Sequence, residues 1–352
     1  MKTLLFLSFA FFGVSLCAQE PTEQESFRVM SYNTENFMDY KHDSLSAVSE
    51  FSATGMRAWN SSRYHQKRDK IAKVIVAVGE WTPPALVALC EIENQAVLED
   101  LTKFSPLKGL GYQIAHFESP DPRGIDVALL YQPNKFKPYI QEPIRIHFTN
   151  EPKRHTRDIL YVAGTLPNAD TLHVFVNHFP SRLGGELESE SGRSTVSSVL
   201  RHKVDSLFQL NAHANILIMG DFNDYPDNES LNKVLRALPE TDAVANTNLY
   251  NLFYTTHKKG DIGSYKHDGQ WGMLDQIIVS GNLLTNNGRT YTQTALAHVF
   301  APEFLLEDDE KGFGKQPFRT YVGMKFHAGF SDHLPVYVDL LIAKPMHHET
   351  EK

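Results

Sequence analysis

Six short polar clusters hold the side chains best suited to chemistry. They are Ser31-Tyr32-Asn33-Thr34-Glu35, Glu91-Ile92-Glu93-Asn94, Asn177-His178, Gly220-Asp221-Phe222-Asn223, Leu274-Asp275 and Ser331-Asp332-His333. All but Leu274-Asp275 follow or abut an apolar run that reads as a buried strand, and the ends of such strands are where α/β scaffolds gather reactive groups. Carboxylates and amide oxygens are hard ligands suited to Mg²⁺ or Mn²⁺, and no thiolate cluster competes with them. Two histidines, one with a neighbouring carboxylate, suit proton transfer near neutral pH. The chain has no Walker-type phosphate loop, no Gly-x-Ser-x-Gly elbow and no His-Glu-x-x-His helix. What remains is metal-assisted attack of water on phosphorus or, as the lesser option, on a carbonyl. Each cluster also has a plain structural reading. Gly220-Asp221-Phe222-Asn223-Asp224 has the residues of a turn, and Glu91 alone reads as a solvated carboxylate. The weight lies on the set and its order.

These groups need a scaffold that brings them together. Phe27–Tyr32, Ala85–Leu89, Val127–Tyr131, Leu160–Leu166, Leu172–Val176, Ile216–Met219, Gln276–Val279 and Val336–Leu340 read as strands. Ile71, Val74, Ile75 and Val78 recur at helical spacing, as do Val196, Val199, Leu200, Val204 and Leu207. Short connections around Tyr131 and across Thr165–Thr171 predict hairpins within a mixed sheet. Residues 39–62 and about 303–329 lack a clear period and read as long loops, either functional lids or idle surface. There is no repeat or low-complexity tract, and one domain over residues 27–342 is the expected organisation.

The first eighteen residues stand apart. Lys2 gives a positive start, Leu4–Leu16 is almost wholly apolar, and Leu16-Cys17-Ala18 ends in a small residue. This is the pattern of a secretory signal peptide over residues 1–18, too short to span a bilayer comfortably. It implies a secreted or periplasmic protein with no membrane span after processing. Cys17 raises the alternative of lipid attachment, although Leu16 is bulky for that processing. Removing the segment leaves Cys90 as the sole thiol, so no intramolecular disulfide can form. Gln19–Ser26 reads as a flexible lead-in and residues 343–352 as a polar tail. The formal charge of −8 gives no general attraction for polyphosphates. A nucleic-acid substrate would have to be met by local arginines or bound cations.

Taken in order, Ser-Tyr-Asn, Cys-Glu-Ile-Glu-Asn, Asn-His-Phe-Pro-Ser-Arg, Gly-Asp-Phe-Asn-Asp, Leu-Asp-Gln-Ile and Ser-Asp-His-Leu-Pro-Val resemble the motif series of the endonuclease/exonuclease/phosphatase family. The likeness runs from Phe27 to about Leu340. It implies an α/β fold, a four-layered sandwich in which two mixed β-sheets are flanked by helices. It also implies Glu91 as main metal ligand with Asn33 and Glu35 beside it, and Asp332 contributing to the metal cluster. Asp221 and Asn223 would orient the water or a second metal and steady the developing charge. His333 would be the general base, oriented by Asp275, and His178 would contact the scissile phosphate or protonate the leaving oxygen. The cofactor so implied is Mg²⁺, with Mn²⁺ or Ca²⁺ as alternatives.

For the substrate, Arg123 and Arg182 are placed to hold a flanking phosphate at the rim, since arginine suits bidentate phosphate contacts. Arg57, Arg63, Lys67, Arg68, Lys70 and Lys73 form a basic stripe that reads equally well as a solvated helix face. The wording of the motifs is most similar to the exported nuclease-like branch of the family, so DNA or RNA is the first expectation. A lipid head group or small phosphate ester is the second, and a non-catalytic binding protein of the same fold the third. No stable protein partner is implied. Trp271 reads as a core residue near the pocket, and Tyr131 receives no role.

Overall fold

The computed structural model describes residues 24–41, 50–240, 243–286 and 289–343. The signal segment, Cys17 and the tail beyond Ala343 lie outside the described residues. Two seven-stranded sheets form the centre. In the first, Val336–Ala343 and Leu86–Ile92 flank the long strand Gln24–Phe37, with Asp126–Tyr131 and Gln113–His116 beyond Leu86–Ile92. In the second, Lys137–Ile144, Ile159–Thr165, Thr171–His178, Asn215–Asp221 and Asp275–Ser280 lie side by side, followed by two short strands. Both are mixed. Gln24–Phe37 runs parallel to Leu86–Ile92 and antiparallel to Val336–Ala343, while Thr171–His178 runs parallel to Asn215–Asp221 and antiparallel to Ile159–Thr165.

The layers follow from side-chain alternation. In Asn215–Asp221, Leu217 and Met219 enter the core between the sheets while Ile216 and Ile218 face outward into a second apolar cluster. Both faces are covered, so this strand is apolar without interruption. Helix Glu186–Leu210 covers that outer face through Val196, Leu200 and Val204. Helices Ser61–Gly79 and Gln95–Phe104 cover the first sheet through Ile71, Val74, Ile75, Val97, Leu98 and Leu101. The result is helix, sheet, sheet, helix: the expected four-layered sandwich.

Some local expectations are corrected. Gln24, Glu25 and Ser26 are not a lead-in; they open the first strand by pairing with Ala343, Ile342 and Leu341. The connection after Tyr131 is not a hairpin. Asp126–Tyr131 and Lys137–Ile144 belong to different sheets, so residues 132–136 carry the chain across the sandwich. The hairpin across residues 165–171 does form. Asn94 accepts a hydrogen bond from the Val97 amide at 3.1 Å and caps a helix that its own periodicity did not announce.

The basic stripe is largely spoken for. Arg57 lies over the rings of Phe51 and Tyr321, Arg63 over Phe326, Lys70 over Phe318 and Phe330, and Lys73 over Phe304. These cation–π contacts clamp the segment 300–330 onto the first helix. That segment, expected to be an irregular loop, contains the small ladders Leu306–Asp308 with Lys315–Pro317 and Tyr321–Val322 with Lys325–Phe326.

Candidate active site

The polar clusters do not sit past the strands, as their sequence suggests; most are the strands' last residues. Ladder pairing carries His178 opposite Asp221, and Asp221 opposite Asp275 on the next strand. Three functional side chains thus stand on neighbouring strands at one level. In the facing sheet, the register shifts between Asn33 and Phe37 and again between Cys90 and Ile92. Such bulges re-aim side chains. Glu91 and Asn223 both take left-handed backbone, with φ of 63° and 50°, a strained choice for these residues that is common at functional sites. Gly220 is required where it stands, because a Cβ there would lie 1.9 Å from the Asn177 carbonyl oxygen.

The centre is densely connected. Asn33 donates from Nδ2 to Asp221 Oδ2 at 3.0 Å, joining the two sheets, and the Asn223 amide donates to Asp221 Oδ1 at 2.8 Å. His333 Nδ1 and Asp275 Oδ2 are 2.6 Å apart. The Asp275 amide donates to Ser264 Oγ at 2.9 Å, and the His333 amide to Ser331 Oγ at 3.1 Å. With Nδ1 facing Asp275, His333 turns Nε2 toward Asp221 Oδ2 at 3.9 Å. His178 Nε2 lies 3.6 Å from the same Asp221 oxygen and 3.9 Å from Glu91 Oε1. Those gaps are too long for direct hydrogen bonds, and they converge on one cleft between four reactive groups.

Electrostatics separates the two histidines. Burial, reinforced by the positive charges of Arg157 and Arg123, holds His178 well below the usual imidazole range, so it stays neutral. Burial also opposes the charge on His333, but the carboxylates of Asp275 and Asp221 outweigh it and raise that imidazole well above its usual range. Burial pushes Asp221 up to about 6, against the favourable influence of His333 and two hydrogen bonds.

The remaining expected residues divide into two groups. Glu91 joins the cleft: Oε2 accepts the Asn36 amide at 2.8 Å and Oε1 faces His178 and Arg123. Arg123 reaches the rim, half exposed, at 3.3 Å from Glu91 and 2.7 Å from Asn36 Oδ1. Glu35, Asp332 and Arg182 are engaged elsewhere. Glu35 accepts the backbone amides of Thr320 and Tyr321, at 2.6 and 3.2 Å. Asp332 faces Arg319 at 3.3 Å. Arg182 points inward to the Asn223 carbonyl, Asp224 and Asn228, with its guanidinium 4.3 Å from the centroid of the Tyr225 ring. It braces the loop carrying Asn223. Sequence reading missed Ser264, Tyr265 and Arg157. Tyr265 packs on the His333 ring with centroids 4.9 Å apart. Arg157 is buried and ties the loop base at Asp121 to the carbonyls of His178 and Phe179. None of the three lies in a motif, and their roles arise only from tertiary contact.

The donors suit a hard divalent cation. Glu91, Asn33 and Asp221 offer oxygens, and one ligand atom each from Asp221, Asp275 and His333 lies within 4.8 Å of the others. Asp275 Oδ1 and His178 Nδ1 are buried without a hydrogen-bond partner, as expected where polar groups await further company.

Comparison with known proteins bears on the family and the fold. A family model described as Endonuclease/Exonuclease/phosphatase family matches residues 28–342. No curated protein sequence matches the chain. Among solved structures, a humanized D. rerio TDP2 with 14 mutations superposes with a TM-score of 0.54 at 14% identity, over 90% of this chain and 98% of that one. The human Nocturnin catalytic domain with bound sulfate gives 0.51 at 18% identity, over 91% and 95%. D. rerio TDP2 with single-strand DNA product gives 0.52 at 13%, over 90% and 98%. At such identities these structures speak for the fold.

Proposed function

This chain belongs to the endonuclease/exonuclease/phosphatase family of phosphoric-ester hydrolases, and from that membership we propose that it cleaves phosphodiester bonds of DNA or RNA with the help of a divalent cation, Mg²⁺ first among them. The observation that carries this reading is the 2.6 Å Asp275–His333 contact facing His178, Asp221 and Glu91 across one cleft. Glu91 and Asn33 would hold the cation, with Asp221 beside them; bound there, it masks the charge of the phosphodiester that otherwise repels a nucleophile. Asp275 fixes the proton of His333 on Nδ1, leaving Nε2 as the base that takes a proton from attacking water. Neutral His178 presents Nε2 as a hydrogen-bond donor to a phosphate oxygen. Asp221, held by Asn33 and the Asn223 amide, orients the water.

Arg123 at the rim favours a nucleic-acid strand, and the related D. rerio TDP2 was solved with single-strand DNA product. The inward turn of Arg182 removes one of two arginines expected to meet substrate, which keeps a small phosphate ester or lipid head group as the second reading. Plasmid DNA, RNA and bis(p-nitrophenyl) phosphate, each with and without EDTA, separate these. EDTA-sensitive cutting of nucleic acid supports the proposal. Hydrolysis of the small ester alone supports the second reading, and silence on every substrate with Mg²⁺, Mn²⁺ or Ca²⁺ points to a binding protein.

We further propose export with cleavage after Ala18, as the n-region and apolar core of residues 1–18 suggest. The mass of the exported protein should correspond to a chain starting at Gln19; an intact Met1 or a lipid on Cys17 would contradict this. Among the described residues no helix is long and apolar enough to cross a membrane.

A further inference from the structure

Of the arginines around the cleft, Arg157 and Arg182 are consumed by internal contacts. Arg123 and Arg319 keep part of the guanidinium in solvent, with side-chain exposures of 45% and 31%. They stand at opposite ends of one run of neighbours. Arg123 touches Glu91, Glu91 faces His178, and His178 and His333 both face Asp221. The ring of His333 packs on Tyr265, and Arg319 lies against Asp332, the residue before His333.

The backbone of Arg319 is fixed on both sides. Glu35 holds the next two amides, and buried Lys67 donates to Thr320 Oγ1 at 2.5 Å and to the Phe330 carbonyl at 2.6 Å. The Arg319 carbonyl accepts the Gly329 amide at 3.1 Å, and the Phe318 carbonyl accepts that of Phe330 at 2.6 Å. A buried hydrogen-bonded core thus presents one partly solvated guanidinium at the edge of the cleft. Beyond it runs a groove of about 440 Å³ of mixed charge, lined by Tyr265, Arg319, Lys311 and Lys325 and also by Asp268 and the acidic run 307–310. Most charges there are already matched: Lys266 with Asp309, His327 with Glu307, and Lys315 with Asp308. Arg319 has Asp332 at 3.3 Å through a single amino group and a side-chain hydrogen bond with Tyr265, and neither contact is bidentate. A phosphate can accept from two guanidinium N–H groups at once, a stronger geometry.

We propose that Arg319 is a specificity-determining residue that binds a second phosphate of the substrate, on the His333 side of the scissile bond, while Arg123 serves the Glu91 side. This rests on the proposed phosphodiesterase activity and deepens it: the preferred substrate is a strand with successive phosphates. When the second phosphate docks, the guanidinium exchanges its contact with Asp332 for two hydrogen bonds to phosphate oxygens, and Tyr265, already hydrogen-bonded to Arg319, borders the nucleoside between.

The test compares kcat/KM on a short single-stranded oligonucleotide with that on the p-nitrophenyl ester of thymidine 5′-phosphate, which has no second phosphate. Wild-type enzyme, Arg319→Ala and Arg319→Lys are measured with thermal unfolding as a fold control. The ratio of oligonucleotide to ester should fall about 10–100-fold in Arg319→Ala, mostly through KM, as expected for a bidentate phosphate contact of roughly 1.5–3 kcal/mol. Arg319→Lys should restore part of it. The slope of log kcat/KM against log salt on the oligonucleotide should shrink by about 0.7, the value for one single-strand phosphate contact. An unchanged ratio overturns the assignment, whether because both substrates suffer equally, in which case Arg319 acts through Asp332, or because neither does. If wild type hydrolyses the ester and gains nothing from added phosphates, the second-phosphate site fails while the phosphodiesterase reading stands. If it hydrolyses neither substrate with any of the three cations, both fall.

Discussion

Replacing Asp275 by Asn probes the His333 arrangement with little change of shape. The side chain is fully buried, and its Oδ2 lies 2.6 Å from His333 Nδ1. A charge-assisted hydrogen bond of this kind contributes about 1.5–3 kcal/mol, which at 1.36 kcal/mol per decade is a factor of roughly 10–150 in rate. Tautomer control adds to it. An Asn amide can offer N–H to Nδ1, which places the imidazole proton on Nε2, the atom that must accept one from water. The combined loss should approach about 10³–10⁴, the upper range for a misoriented general base. The pH dependence carries a second signature. His333 must be neutral to act, and the charges of Asp275 and Asp221 hold its protonation well above the usual range. Removing one of those charges should move the acidic limb of the pH–rate profile to lower pH while the plateau drops. Profiles of bis(p-nitrophenyl) phosphate hydrolysis at saturating Mg²⁺ measure both. A plateau near wild type, or an acidic limb that stays in place, would refute the reasoning.

The cleft also taxes the fold. Burial raises Asp221 to about 6, above the usual carboxylate value of about 3.8 in the unfolded chain, so between those values the folded state binds more protons. Stability of the EDTA-treated protein should therefore fall as pH rises from about 4 to 6, and Asp221→Asn should recover on the order of 2 kcal/mol at neutral pH while abolishing activity. Urea unfolding across that range checks it; an Asn variant less stable than wild type contradicts it. Lys67, whose ammonium bonds Thr320 Oγ1 and the Phe330 carbonyl, and Glu35 influence each other's charge in the buried core. Lys67→Met leaves that carbonyl without its donor and should cost about 1–3 kcal/mol, with faster proteolysis within residues 300–330. Adding Glu35→Gln should return part of that loss. Strictly additive effects in the double-mutant cycle would show that the two groups do not cooperate.

Much of the scaffold was legible because physics repeats along it. The eight strands and two helices announced by apolar pattern all occur, since a strand buried on both faces leaves an unbroken run and a covering helix leaves a stripe. The missed elements lacked those marks. Gln113–His116 and Lys137–Ile144 lie at sheet edges with mixed exposure, and in Lys137–Ile144 only Pro138, Ile140, Pro143 and Ile144 stand among polar residues. The convergence of Glu91, His178, Asp221, Asp275 and His333 was implied by motif order. The destinations of Glu35 and Arg182 were not, because each depends on a partner distant in sequence: Thr320 and Tyr321 for the first, Asn223, Asp224 and Asn228 for the second. Segment 300–330 was opaque for the same reason. Its order comes from cation–π contacts with a helix some 250 residues earlier, and no local periodicity records them.

The claim on which the rest depends is that His333, oriented by Asp275, delivers proton transfer to a phosphodiester in the cleft shared with Glu91. Its most direct test is the initial rate of bis(p-nitrophenyl) phosphate hydrolysis by His333→Ala beside wild type, in Mg²⁺ and in EDTA, with thermal unfolding recorded on both. The account predicts EDTA-sensitive turnover by wild type and a loss of about 10²–10⁴ in the variant with its fold intact. A folded His333→Ala protein that turns over the ester at close to the wild-type rate would contradict it.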